Sequence, residues 1–314
     1  MTFFIPLLLI LLLAVSGSAQ QQQAPAESPL FRASVSLVRV DAQVVDRRGR
    51  AIPDLAISDF EIFDEGQPQK IVHFGHEREP LDLLLLLDVS GSMHRFLEEM
   101  SRTAAAALEP LSSEDRVAVM VFARNAAVRQ EFTSDPLSVQ SRMREAVQDR
   151  GLGSGTAINA AIISAAQYLE RQPVKGRRAV LIVTDNTSLN YKVPDEDVIR
   201  ELNAADAVLN GILVGKQKHP DDLRRGSYAN PDFTPSDVYK LAEQTGGELI
   251  EARKASESFA EIIERIRGRY SLAYDAPPSA AGAFRRIRVE LAAAARRRYP
   301  DAVVRARAGY YAAR

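Results

Sequence analysis

The chain has 314 residues, 46% of them hydrophobic, with 40 Lys and Arg against 41 Asp and Glu and a formal net charge of -1. That apolar share supports a sizeable buried core and excludes a disordered chain, while the even charge gives no general attraction to nucleic acid or an anionic membrane. The absence of Cys excludes thiol catalysis, Cys-ligated zinc, disulfides and lipid attachment through Cys.

Phe3 to Val15 is a run of 13 residues without charge, followed by Gly17-Ser18-Ala19 ahead of Gln20. At about 1.5 Å per residue it falls short of the roughly 30 Å hydrocarbon layer. It therefore reads as a signal peptide cleaved after Ala19, although the usual positive residue near the start is missing. The mature chain is then exported, periplasmic or secreted, with no transmembrane span. Gln20 to Pro29 is polar and Pro-bearing, and residues 20–31 are expected to form a linker.

From Val35 the pattern is that of strands. Val38, Val40, Ala42 and Val44 alternate with polar neighbours, Phe60 and Ile62 begin a second strand, and Ile71 to Phe74 form a third. Leu81 to Leu87 is almost pure Leu, apolar on both faces, as a central parallel strand covered by helices requires. Beyond it strand and helix alternate. Helices are expected at 95–111, 157–170, 198–206, 236–244 and 256–268, and strands at 116–123, 179–184, 208–214 and 249–251. A further helical stretch precedes Gly151.

After Gly268 the strand pattern returns, with Tyr270, Leu272 and Tyr274 alternating, then Ile287, Val289 and Leu291, and Val303 to Tyr311 closing the chain. The expected fold class is α/β, a doubly wound and mostly parallel sheet at residues 79–268. The segments before it (32–78) and after it (269–314) are each too small for a secure core. They are expected to pair into one small β-sandwich into which the α/β domain is inserted. Residues 265–314 hold 12 Arg and three acids while residues 20–80 hold ten acids and seven bases, which favours that docking.

The residues that carry chemistry stand at strand ends. Asp88-Val89-Ser90-Gly91-Ser92 follows the Leu-rich strand, and in an open α/β sheet ligands sit just outside such ends. Thr156 follows the Gly-rich run 151–155 and opens a helix, and Asp185 ends the strand 179–184. Two carboxylates and three hydroxyls make an all-oxygen set suited to a hard cation such as Mg2+, with Mn2+ or Ca2+ as substitutes. Taken singly, each of these residues also suits a helix N-cap. Five in order on one face of a sheet point to a metal site.

D-x-S-x-S after the first strand, a later Gly-rich loop with Thr, and T-D at a strand end resemble von Willebrand factor type A domains over roughly residues 80–268. The flanks DFEIFDEGQPQKIVHF and RIRVEL…VRARAGYYA are similar to bacterial exported proteins of the type A-related class. The resemblance implies a metal-ion-dependent adhesion site (MIDAS) with Ser90, Ser92 and Thr156 as direct ligands and Asp88 and Asp185 acting partly through water. It further implies that an Asp or Glu of a protein partner completes the metal shell. Asn186 departs from the family, which commonly has Gly there, and a bulkier residue is expected to tilt that loop.

The long connection after the strand 208–214 leaves the same face, so Tyr191, Arg224, Arg225, Tyr228 and Phe233 are candidate partner contacts. Other signals are weaker. Gly151-Leu-Gly-Ser-Gly-Thr lacks the Lys and the preceding strand of a phosphate loop. His94 lies two residues past Ser92, but G-x-S-x-G is missing and metal-engaged hydroxyls are poor nucleophiles. Arg296-Arg297-Arg298 reads as a solvated loop. The expectation is an adhesion-type interaction protein and not an enzyme. A metal-independent structural scaffold is the main alternative and a metal-dependent hydrolase a weaker one.

Overall fold

The computed structural model describes residues 37–76, 79–149, 151–188, 193–215, 234–235, 237–252 and 255–312. The expected signal peptide and linker lie outside them, as do Tyr191, Arg224, Arg225, Tyr228 and Phe233. The strands are β1 (Leu37–Val45), β2 (Phe60–Asp64), β3 (Gln67–Gln69), β4 (Ile71–Gly75), β5 (Leu81–Asp88), β6 (Arg116–Phe122), β7 (Ala126–Thr133) and β8 (Arg177–Thr184). They continue with β9 (Thr187–Ser188), β10 (Ala207–Val214), β11 (Thr234–Pro235), β12 (Leu249–Ala252), β13 (Tyr270–Asp275), β14 (Phe284–Leu291), β15 (Val303–Arg305) and β16 (Gly309–Tyr311). The helices are α1 (His94–Ala107), α2 (Pro136–Ala146), α3 (Ile158–Glu170), α4 (Asp195–Ala204), α5 (Val238–Thr245), α6 (Ala255–Arg267) and α7 (Ala293–Arg298).

Every residue of β5 is buried. Leu81, Leu83, Leu85 and Leu87 face a core shared with α1, α2 and α6. Leu84 and Leu86 face an opposite core shared with α3, α4 and α5. A strand apolar on both faces has to sit inside a helix-covered sheet, and β5 does so in the order β12-β10-β8-β5-β6-β7. All neighbours are parallel except β7, which runs antiparallel to β6 at the edge.

The terminal segments form two four-stranded antiparallel sheets, β15-β1-β13-β4 and β16-β14-β2-β3. Their inner faces enclose a third core in which Val38, Val40, Ala42 and Val44 meet Tyr270, Leu272 and Tyr274. β4 and β13, which stand on either side of the α/β domain in the chain, pair directly from Ile71↔Tyr274 to Gly75↔Ser271, and β1 pairs with the other edge of β13, so the α/β domain is inserted between adjacent strands of one sandwich. The charge asymmetry between the two segments is expressed in contacts, with Arg298–Asp59 and Arg285–Asp64 both at 2.6 Å.

Several elements differ from the sequence reading. α1 ends at Ala107 and not at residue 111, and α4 starts three residues before residue 198. The closing stretch 303–311 is two short strands in different sheets, because Arg307 between them turns away to donate to Asp206 Oδ1 (2.8 Å) and to the Arg39 carbonyl (2.8 Å). β7 and α7 were not anticipated. No helix among the described residues is long and apolar enough to cross a membrane.

The sandwich meets the α/β domain through polar groups. Arg177, at the start of β8, donates to the carbonyls of Ile266 (3.1 Å), Arg267 (2.8 Å) and Arg269 (3.3 Å) where the chain leaves α6 for β13. Gln43 Nε2 donates to Glu248 Oε2 (2.9 Å), whose other oxygen accepts from Arg265 (2.6 Å).

Inside the sandwich, the fully buried Asp64 accepts from the hydroxyls of Tyr274 (2.8 Å) and Tyr310 (3.0 Å) and from Arg285 Nε (2.8 Å). Asp64→Ala strands all three donors and is expected to cost about 3–5 kcal/mol in urea unfolding, with Asp64→Asn costing less.

Candidate metal centre

β5 carries Asp88 to the carboxyl edge of the sheet, where it is fully buried. Its Oδ1 accepts the Ser90 backbone N–H (2.9 Å), which bends the chain, and Met93 N–H closes the next turn on Ser90 O (3.0 Å). A single 3-10 turn, Gly91–Met93, then leads into α1. This turn presents Ser90 and Ser92 on one side, with their hydroxyl oxygens 3.3 Å apart. Ser92 Oγ donates in turn to Asp185 Oδ2 (2.8 Å), the residue that follows β8. β5 and β8 are paired neighbours, so the strand register itself brings the two carboxylate-bearing loops together.

Thr156 is buried at the end of the Gly-rich loop. Gly153 and Gly155 hold φ of +83° and +91°, which residues with a β-carbon rarely adopt, so the tight course of this loop depends on them. Ser188 ties the loop to the Asp185 segment, donating to Thr156 O (3.2 Å) and accepting from Ile158 N–H (3.3 Å). On the other side Ala157 N–H donates to Ala123 O (2.8 Å).

Two residues outside the sequence-derived set prove structural to the site. Thr184 donates from its hydroxyl to Asp88 Oδ2 (2.7 Å), and Ser188 makes the loop tie just described. The T-D pair at the end of β8 was the available signal for Thr184; Ser188 left none. Asn186 is fully buried with φ +59°, the left-handed conformation a glycine would supply, and its N–H donates to Thr184 Oγ1 (3.2 Å). Asn is among the few side chains that tolerate this region, so the loop keeps its course without Gly. His94 is half-buried as the first residue of α1.

The donor set fits a hard divalent cation. An octahedral ion with ligands at about 2.1 Å holds neighbouring oxygens about 3.0 Å apart, and the spacings here, 3.3 and 2.8 Å, lie on either side of that value. No group of three or more His, Asp or Glu comes together among the described residues. The structure brings Ser90 Oγ, Ser92 Oγ and Asp185 Oδ2 together, with Asp88 directly behind them and Thr156 on the adjoining loop tied to the Asp185 segment by Ser188, so a cation held here would draw on hydroxyls beside its carboxylates. Burial pushes the Asp88 carboxyl up to about 6, against hydrogen bonds from Ser90 and Thr184 that pull it down, and the charge of Asp185 adds a smaller upward push.

Residues 83–187 match the family model of the von Willebrand factor type A domain. Among solved structures, BatB from Bacteroides thetaiotaomicron is 20% identical over 59% of this chain and 97% of that one, with a TM-score of 0.44. A von Willebrand factor type A protein from Catenulispora acidiphila is 13% identical over 90% of this chain and 75% of that one, with a TM-score of 0.44. Proximal thread matrix protein 1 from the mussel byssus, with a zinc-occupied MIDAS motif, is 14% identical over 65% of this chain and 49% of that one, with a TM-score of 0.46. No curated protein matches the chain.

Two outcomes are expected. Asn186→Val, β-branched at positive φ, should lower stability by about 2 kcal/mol or more in urea unfolding, and Asn186→Gly should lower it less. Because the folded-state value of Asp88 lies above its unfolded one, its protonation stabilises the metal-free fold at low pH, and that contribution is lost as pH rises through about 6. A cation requires the carboxylate, so the apparent Mg2+ affinity, titrated calorimetrically, should be about tenfold weaker at pH 5 than at pH 7.5.

Proposed function

Since residues 83–187 form a von Willebrand factor type A domain, we propose that this chain is an exported, adhesion-type interaction protein that binds an acidic group of a protein partner through Mg2+. Asp88, Ser90, Ser92, Thr156 and Asp185 hold the ion. The observation that carries this reading is the convergence of Ser90 Oγ, Ser92 Oγ and Asp185 Oδ2 at 3.3 and 2.8 Å on the open edge of the sheet.

The cation supplies a Lewis-acidic position that an Asp or Glu side chain can occupy in a partly desolvated place. The chain's own residues do the rest. Thr184 and the Ser90 N–H occupy both oxygens of Asp88, which fixes the carboxylate behind the two serines. Thr187 N–H on Asp185 Oδ1 (2.9 Å) leaves Oδ2 turned toward Ser92. Ser92 is exposed while Asp88 is buried, so charge lies beneath and access above. No residue is assigned a catalytic role, and the proposed work is binding.

The test is a thermal melt of the mature chain in EDTA, then Mg2+, then Mn2+, beside Asp88→Ala. A ligand at 100 times its Kd stabilises by about 2.7 kcal/mol, which is about 5–10 °C in Tm for a domain of this size. The wild type should rise and the variant should not. A wild type that stays level in every metal removes the main support for metal-mediated capture.

A further inference from the structure

Far from the metal loops, the sandwich and the α/β domain leave space between them. Ala51 and Pro53 after β1, Pro110 and Ser112 after α1, and Glu261 and Glu264 near the end of α6 line one cleft of about 750 Å3. Ligand sites fall in this size range and favour the junctions of domains. We infer that the cleft binds a small organic cation, an amine or guanidinium on a flat apolar body, whose charge meets Glu264. The inference is independent of any metal.

The walls of the cleft are fixed before a ligand arrives. Asp46 folds the turn after β1, accepting from the backbone N–H of Arg48 (2.8 Å) and Arg50 (3.0 Å) and from Arg50 Nε (2.9 Å). Gly49, with φ +76°, brings that turn against α6, so that a β-carbon there would stand 3.2 Å from Arg265 Nη2. Asp115 closes the loop after α1 by accepting from Ser112 N–H (2.7 Å), and it holds Arg267 Nε at 3.0 Å. Both walls are therefore pinned to the end of the same helix, which lowers the ordering cost of binding. Asp115 also accepts from Leu81 N–H (2.8 Å) at the start of β5, so the cleft lies at the pole opposite Asp88.

The guanidinium groups that line the cleft are already answered within the chain. Arg50 pairs with Asp46 (2.8 Å), Arg265 with Glu248 (2.6 Å) and with Glu261, and Arg267 with Asp115. Glu264 is exposed on the same helix and has no side-chain partner among the described residues. An entering ligand thus meets neutralised cations and one open carboxylate, a balance that selects positive charge.

The rest of the lining sets the body of the ligand. Ala51, Pro53 and Pro110 offer no polar side-chain group, and the His76 ring, also in the lining, stacks on Tyr270 with 4.2 Å between centroids and 13° between planes. Rings held in place in this way suit a flat apolar group.

The experiment titrates N-benzoyl-arginine amide into the mature chain in EDTA by calorimetry. Two comparators are N-benzoyl-citrulline amide, which keeps the shape without the charge, and Gly-Ser-Arg-Ser-Gly, which keeps the charge without the ring. The arginine amide should bind at one site with a Kd below about 1 mM, about three- to fivefold tighter than either comparator. Glu264→Gln should bring it level with the citrulline amide, and Ser112→Trp, which fills the cleft, should abolish binding. Both positions are exposed, so both variants should melt with the wild type. A citrulline amide that binds equally well, or a Glu264→Gln variant that keeps the preference, overturns the charge assignment, and a peptide that binds as tightly overturns the flat body. If the arginine amide does not bind below about 1 mM, or binds undiminished to Ser112→Trp, the site itself falls. The metal reading stands whichever result is found.

Discussion

Everything at the functional edge depends on a strand that has no polar face. β5 is buried from Leu81 to Asp88, and it carries an acid near each end. The two acids are met differently. Asp82 receives both a 2.8 and a 2.7 Å bond from Arg116, so its charge is answered by a guanidinium from the neighbouring strand. Asp88 receives a hydroxyl and a backbone N–H, which orient a carboxylate without neutralising it. A buried acid held only by neutral donors, with a second carboxylate nearby, is costly to keep charged, and in the proposed function a cation from outside the chain answers that cost. The same apolar strand that stabilises the domain therefore creates the electrostatic demand at its tip.

Much of this was legible in the residues. Seven leucine-rich positions followed by D-V-S-G-S can be read locally, because a strand buried on both faces shows as a continuous apolar run and the bend residues follow at once. The insertion of the α/β domain into a sandwich was legible from two short strand-patterned flanks with opposite charge. β7 was not, since it is an edge strand with no fully buried position and with irregular register against β6. The break between β15 and β16 was also hidden, because it depends on Arg307 finding Asp206, 101 residues away. Thr184 and Ser188 escaped for a related reason. A hydroxyl next to a strand end suits many partners, and only the three-dimensional neighbour decides which.

The three apolar cores remain separate, and the contact between sandwich and α/β domain is built from side-chain amides, carboxylates and guanidinium groups on backbone carbonyls. Such a seam is directional where an apolar one is not. Arg177 bonded to the carbonyls of Ile266, Arg267 and Arg269, where the chain leaves α6, favours one seating of the helix on β8, and Arg307 fixes the last strands to α4 and β1 by the same means. Hydrogen-bond geometry therefore constrains the orientation between the two parts.

The position of this seam has a mechanical consequence. The chain enters the α/β domain at Leu81 and leaves it at Arg267, and both crossings lie at the pole opposite Asp88 and Asp185. In the proposed function, a pull on a partner held at the loops of Asp88 and Asp185 is carried lengthwise through the α/β domain before it reaches the sandwich. A load entering at Asp88 runs along the backbone of β5 itself, and one entering at Asp185, which follows β8, passes from β8 to β5 in shear through the ladder between them, whose bonds share it. Loops and mount thus stand at opposite ends of the strand direction, joined by continuous backbone and by a parallel ladder.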